Sequence, residues 1–279
     1  MFGKRTGRTR SAFGSRLAIG GVIAAIAFFS YWRMRSPNPH TGEMQHVAMS
    51  TEQEVALGLQ AREEMAAQFG GLHPDAQGQE TVDRVGQRLV AANALDNLPW
   101  QFEFHLLGDE KTINAFALPG GQIFITAALY TRLQTEAQLA GVLGHEIGHV
   151  VERHGSEHLA KAQLTQGLVG AVGVGAADGA SGGQMAAAAA SMVGNMINLK
   201  YGRGDELESD SRGVEYMAKA GYDPTAMIHV MQVLAEASGD RGGQPEFFAT
   251  HPNPENRLDQ IRAAIRKLYP QGVPETLEK

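Results

Sequence analysis

Apolar residues in this chain fall into two kinds of rhythm. Leu139, Val142, Leu143, Ile147 and Val150 recur at intervals of three and four behind Thr135 and Gln138, which have the spacing of a capping box, so a buried helix is predicted through Val151. Thr51–Phe69 reads as an amphipathic helix capped by Ser50 or Thr51, with Val55, Leu57, Leu59 and Met65 as core candidates, and Gln79–Ala92 as a second, with Val82, Val85, Leu89 and Val90. Elsewhere the period is two. Phe102, Phe104 and Leu106 alternate with polar residues in a half-buried strand, and Asn114–Leu118 and Gln122–Thr126 flank Pro119-Gly120-Gly121 as two strands around a turn.

Further along, Gly167–Asn198 is almost entirely Gly, Ala, Val, Ser and Met. It is expected to form a helix, a turn at Asp178–Gly183 and a second helix over Gln184–Leu199, packed under the domain, covering the site or touching membrane. Arg203 opens a helix that Gly221 and Pro224 stop; Asp223–Ala237 and Asn256–Leu268 are two more, separated by a loop at 239–245 and the proline-stiffened Thr250-His251-Pro252-Asn253-Pro254.

The N-terminus changes the picture. Lys4, Arg5, Arg8, Arg10, Arg16, Arg33 and Arg35 all precede the first acidic residue, Glu43, and Leu17–Trp32 between them is uncharged and mostly apolar. At about 1.5 Å per residue that run covers about 24 Å, short for a roughly 30 Å hydrocarbon core but extendable at both ends. With five basic residues before it and two after it, and no small-x-small cleavage site following, it reads as an uncleaved single-pass anchor with its N-terminus in the cytoplasm. That places the body in the periplasm of a bacterial inner membrane. A mitochondrial presequence has the same Arg-rich, acid-free character, so the mitochondrial inner membrane is the alternative. Of the 24 basic residues, 17 remain against 30 acidic ones once those seven are set aside, a body near −13 that is a poor nucleic-acid binder. With no cysteine, disulfides and thiolate ligands are excluded, and any metal must be held by His and carboxylate.

The buried helix carries the chemistry. His145-Glu146-Ile147-Gly148-His149 places two imidazoles four apart on one face, able to hold a single zinc ion, with Glu146 to the side where its carboxylate can take a proton from water without being a ligand. Gly141, Gly144 and Gly148 lie at intervals of three and four and each costs about 1 kcal/mol against Ala in a helix interior, so something must approach that side closely. His154 is one residue short of the third-His position of a compact site, which is Gly155; His154 and His158 are read as lying either just behind the ligands or on the surface. Glu206 and Asp210 share a face four apart, so one carboxylate can reach the metal while the other accepts a ligand imidazole's N–H. The strand Asn114-Ala115-Phe116-Ala117 either lies at an exposed edge, where an extended peptide adds as another strand, or belongs to an ordinary hairpin packed on the metal helix.

With His145-Glu146-x-x-His149, Arg203-x-x-Glu206-x-x-x-Asp210 and Thr250-His251-Pro252 followed by Arg257, the chain resembles the membrane-associated zinc endopeptidases that include the CAAX prenyl protease, HtpX, mitochondrial OMA and BepA. The similarity runs from about Asn38 to Leu268, with Asn114–Gly121 matching the family's edge strand. The resemblance implies that His145, His149 and Glu206 bind one zinc, that Glu146 is the base and Asp210 braces a ligand, and that His251 and Arg257 lie over the cleft as catalytic groups, His251 capping the zinc at rest or stabilising the oxyanion. It also implies that Arg257 meets the substrate carbonyl and is, with His251, a candidate for stabilising the oxyanion, and that a peptide is laid along Asn114, Ala115, Phe116 and Ala117. Multiple membrane spans and a helical-repeat domain, found in some relatives, are absent, so prenyl-peptide processing and repeat-mediated docking are not expected.

The expected architecture is α+β: a mainly helical zincin-like metallopeptidase domain with a small β-sheet over 51–279, a tether at 36–50, and an N-terminal membrane anchor at 1–35. The expected function is zinc-dependent endoproteolysis of unfolded or damaged envelope proteins. A chaperone that holds clients around a structural zinc is the competing function, and Glu146 argues against it because a structural site has no need of a base.

Overall fold

The computed structural model describes residues 8–176, 200–239 and 245–279. The expected turn at Asp178–Gly183 and helix over Gln184–Leu199 lie outside the described residues, as does most of the loop at 239–245. In chain order the elements are α1 (Arg8–Arg33), β1 (Arg35–Pro37), β2 (Met44–His46), α2 (Thr51–Gln68), α3 (Ala76–Ala92), β3 (Glu103–Leu107), β4 (Ala115–Ala117), β5 (Gln122–Thr126), α4 (Ala127–Tyr130) and α5 (Glu136–Val151). They continue with α6 (His154–Ala176), α7 (Arg203–Lys219), α8 (Ala226–Gly239), α9 (Glu246–Thr250) and α10 (Arg257–Leu268), a mainly helical α+β arrangement. Residues 8–48 and 156–176 gather into one compact unit, and 49–155, 200–239 and 245–279 into another.

In the first unit, Gly14–Arg33 of α1 is long and apolar enough to cross a membrane, and Leu17, Val22, Ile26, Phe28 and Trp32 on it are exposed. The stretch expected as a tether carries a hairpin. β1 pairs antiparallel with β2, Ser36 opposite Gln45, around a turn where Asn38 Oδ1 accepts from the amides of His40 and Thr41 and Gly42 has a φ of 74°. α6 approaches α1 at two glycines. A Cβ built on Gly20 would stand 2.8 Å from the Ala171 carbonyl oxygen, and one on Gly167 would stand 2.6 Å from Ala27 Cβ.

The second unit is organised by a three-stranded sheet in the order β3-β5-β4, with β3 parallel and β4 antiparallel to the central β5. Side chains along β5 alternate. Ile123 and Ile125 enter the main core with Phe104, Leu106, Leu89, Leu143 and Ile147, while Phe124 enters a second core with Phe116, Phe69, Met65 and Leu118. Phe116 and Phe124, opposite each other in register, stack with centroids 4.9 Å apart. The turn between β4 and β5 depends on Gly120 and Gly121, at φ 88° and 109°.

α3 buries Val82, Val85, Leu89 and Val90 as the apolar pattern requires. α2 departs from its pattern. Its buried face is Glu54, Gly58, Ala61 and Met65, whereas Leu59 is exposed and Val55 and Leu57 are half-buried. Gly58 admits the Pro119 carbonyl, which a Cβ there would meet at 2.2 Å, and Glu54 takes a hydrogen bond from Trp100 Nε1 (3.1 Å) and an ion pair from Arg153 Nε (3.0 Å). The face is chosen by a backbone contact and a buried charge pair rather than by hydrophobicity.

α5 lies at the centre, with every residue from Ala137 to Val151 buried. Thr135 Oγ1 accepts from the Gln138 amide, but Gln138 Oε1 reaches back to the Gln134 amide (2.6 Å) rather than closing a capping box on Thr135. The glycine face meets α7: a Cβ on Gly148 would lie 3.0 Å from Ser209 Cα, and one on Gly144 would lie 3.4 Å from Gly213 Cα. Gly141 meets Met227 of α8.

Candidate metal centre

The close passage of α5 over α7 brings their polar residues together inside the core. His145 and His149 project from α5 toward Glu206 on α7, and the Nε2 atoms of the two imidazoles are 3.1 Å apart. Glu206 Oε1 is 3.4 Å from His149 Nε2, and Oε2 is 3.6 Å from His145 Nε2. His251 arrives at the C-terminal end of α9, where its amide bonds to the Phe247 carbonyl (2.7 Å) and its ring stacks on Phe247. Its Nδ1 stands 3.3 Å from His145 Nε2 and 3.1 Å from Glu206 Oε1. One donor atom from each of His145, His149, Glu206 and His251 falls within 4.8 Å of all the others, and all four residues are buried.

These separations suit a metal. Four ligands at 2.0–2.1 Å around a tetrahedral ion stand about 3.3–3.4 Å from one another, close to the spacings here. Buried atoms short of hydrogen bonds make the same point: Glu206 Oε2, His251 Nε2 and both carboxylate oxygens of Glu146 make no hydrogen bond among the described residues, and His251 Nε2 stands 3.7 Å from Glu146 Oε1. Such groups carry a desolvation penalty that a cation would offset.

Outer partners fix the imidazoles. His145 Nδ1 lies 2.8 Å from Asp210 Oδ1, and Asp210 is gripped at both oxygens by Arg257, Nε to Oδ2 at 2.7 Å and Nη2 to Oδ1 at 2.9 Å. Arg257 Nη1 also stands 3.0 Å from Glu206 Oε2. Arg257 is thus fully buried against two carboxylates at the first turn of α10. His149 Nδ1 lies 2.9 Å from His154 Nδ1, and His154 Nε2 lies 3.3 Å from Glu208 Oε2. Tyr201 stacks on the His149 ring, centroids 3.9 Å apart.

Charge follows from this packing. Burial pushes the Glu146 carboxyl up, against the pull of His251 and His145. Burial holds His149 well below the ordinary imidazole value, so its ring is neutral and has a lone pair to give. For Glu206 burial alone would raise the carboxyl, but the positive potential of His251, hydrogen bonds from His149 and His251, and His145 hold it low and ionised. Asp210 follows the same pattern, with Arg257 and His145 overcoming burial.

The structure brings His145, Glu146, His149, Glu206, Asp210, His251 and Arg257 into one cluster. The edge residues occupy β4: Asn114 just before it, with Ala115 and Phe116 buried and Ala117 half-buried. Because Phe116 pairs with Phe124, with Asn114 and Leu118 bonding to Thr126 and Gln122 on either side, the backbone groups of Ala115 and Ala117 face away from β5. The Asn114 side chain is fully buried with neither polar atom bonded among the described residues. Sequence spacing left His154 between a place behind the ligands and one on the surface, and it missed Tyr201. A continuous helix would carry a residue five places on away from His149, but Arg153 adopts a left-handed φ of 59° that turns His154 back. No local signal marks Tyr201 apart from its place just before α7.

A buried His-Glu-x-x-His helix crossed by a carboxylate-bearing helix, with a metal-binding group of three imidazoles and one carboxylate, defines the metallopeptidase class. The chain belongs to peptidase family M48, whose model matches residues 76–265. It is 32% identical over 238 residues to a beta-barrel assembly-enhancing protease of Yersinia pestis, covering 83% of this chain and 48% of that one. It is 30% identical over 243 residues to the protein of that name in Escherichia coli K12, covering 84% and 48%. To the mitochondrial metalloendopeptidase OMA1 of Schizosaccharomyces pombe it is 29% identical over 270 residues, covering 92% and 72%. The chain therefore spans about half the length of the assembly-enhancing proteases it matches.

Proposed function

We propose that this protein is a membrane-anchored zinc endopeptidase that cleaves unfolded or damaged envelope proteins. The observation that carries the reading is Glu146: fully buried, raised by that burial, neither oxygen hydrogen-bonded among the described residues, and next in the chain to His145 of the donor cluster. A structural metal site has no use for such a group, whereas a peptidase needs a base there, which sets the holdase reading aside. Zinc suits an all-nitrogen-and-oxygen tetrahedral set. When bound it supplies a Lewis acid that makes water acidic and polarises a carbonyl.

In this reading His145, His149 and Glu206 would hold the ion, with His251 as a fourth donor beside them. Glu146, its carboxyl raised by burial, takes the proton of the attacking water and returns it to the leaving amine. Arg257 keeps Asp210 aligned on His145 and steadies Glu206, so it acts through the ligands rather than on the oxyanion. A substrate segment adds along Ala115–Ala117, where outward backbone groups give affinity without demanding a sequence, as suits unfolded clients. The five basic residues before Leu17 favour a catalytic domain on the periplasmic face of a bacterial inner membrane. Similarity to OMA1 favours the mitochondrial inner membrane as the second reading.

Glu146→Gln tests the mechanism. It keeps size and polarity, so metal content should persist and client binding should survive. Casein digestion should fall by the roughly 10²–10⁴-fold that a positioned general base contributes, and a chelator should abolish it in the parent. An unchanged cleavage rate in Glu146→Gln would refute the mechanism, and equal rescue in cells by that variant would restore the holdase.

A further inference from the structure

The C-terminal half of α6 presents a surface that the peptidase chemistry does not use. From Ala162 to Ala176 it carries no charge, and Leu168, Val169 and Val172 are 41%, 66% and 72% exposed. Water is a poor solvent for such a face. Its position along α1 says what covers it. Gly20 meets Ala171 and Gly167 meets Ala27, so as α6 advances from 167 to 171 it moves toward the N-terminal end of α1, running antiparallel to it. Gly20 is thirteen residues before Arg33, the C-terminal end of α1, hence about 20 Å along the helix axis at about 1.5 Å per residue. If α1 spans a roughly 30 Å hydrocarbon core, that level is well inside it.

From this we infer that residues 164–176 of α6 enter the same bilayer as α1 and present Leu168, Val169 and Val172 to lipid acyl chains. Glycines at the crossing let the two backbones approach closely, the way helices pack where water gives no hydrophobic drive. Lys161, exposed and paired with Glu157, marks the last charged turn before the apolar stretch and sits where a snorkelling cation belongs. The inference rests on the anchor reading of α1. It makes the protein a two-contact membrane protein rather than a soluble domain on a single leash.

The absence of cysteine makes the test direct. Single-cysteine variants Val172→Cys, Val169→Cys, Lys161→Cys and Ile26→Cys of the full chain are labelled with bimane and reconstituted in phosphatidylcholine vesicles. Each is quenched either by lipid carrying a mid-chain nitroxide or by aqueous iodide. Quenching at 169 and 172 by the nitroxide, to the extent seen at 26, with 161 quenched by iodide, is the expected result. Iodide quenching at 169 and 172 while 26 stays lipid-quenched would overturn the inference and leave the anchor standing. Iodide quenching at 26 as well would bring down the anchor reading and the inference with it. Resistance of 169 and 172 to both quenchers would place them inside protein and also overturn it.

Discussion

His154→Ala is expected to weaken metal binding without touching a ligand. If His149 offers its Nε2 lone pair to the metal, its Nδ1 carries the proton and donates to His154 Nδ1 at 2.9 Å; His154 must then carry its own proton on Nε2, which donates to Glu208 Oε2 at 3.3 Å. Both imidazoles are buried, so truncating His154 leaves the His149 N–H without an acceptor. A buried unsatisfied donor costs about 1–3 kcal/mol. At about 1.4 kcal/mol per tenfold, affinity should fall roughly 5- to 150-fold, in line with the 10–100-fold typical of groups behind metal ligands. Competition with a chromophoric chelator on the full chain reads the apparent Kd. His154→Asn places an oxygen acceptor where Nδ1 stood and should recover most of the loss, whereas a purely space-filling role would give Ala and Asn the same deficit. An unchanged Kd in His154→Ala, or equal loss in the two variants, would refute the relay.

Two further outcomes follow from neighbouring contacts. Glu206→Gln should lose metal markedly, because it neutralises the carboxylate inside the donor cluster, whereas Glu208→Gln keeps an acceptor oxygen for His154 and should lose little; metal analysis of the purified variants decides, and the reverse order would overturn the third-ligand assignment. Gly148→Ala would gain about 1 kcal/mol of helix propensity but force a Cβ to 3.0 Å from Ser209 Cα, an overpacking of backbone that costs about 1–3 kcal/mol, so Tm should drop; Gly204→Ala, with nothing within 4 Å, should not lower it.

Local regularity was legible and long-range pairing was not. The face of α3, the alternation Phe102-Phe104-Leu106 and the His145–His149 pair each follow from a repeat within one element. So did the demand of Gly144 and Gly148 for a close neighbour, which α7 satisfies. The buried face of α2 was misread because Glu54 and Gly58 are neither apolar nor adjacent in sequence to Arg153 and Pro119, the groups that bury them. The choice between the two places open to His154 turns on a single left-handed residue, Arg153, which no spacing reports. Asp210 could be paired with a carboxylate neighbour by spacing, but that Arg257 locks it needs contacts 47 residues apart, which no periodicity reports.

The four donors belong to three stretches far apart in the chain: His251 stands 106 residues from His145 and 45 from Glu206. An ion held by them would therefore cross-link a polypeptide that, lacking cysteine, has no covalent one. In the chain-entropy account a cross-link closing a loop of about 100 residues is worth about 4.7 kcal/mol, a large fraction of a typical folding free energy. Chelation should then act as the opening of a strap. Without the ion, the segment bearing His251 and Arg257 is tied to α5 and α7 by packing and by the contacts of these two side chains with His145, Glu206 and Asp210, so metal supply would govern how long the molecule survives as well as whether it cuts.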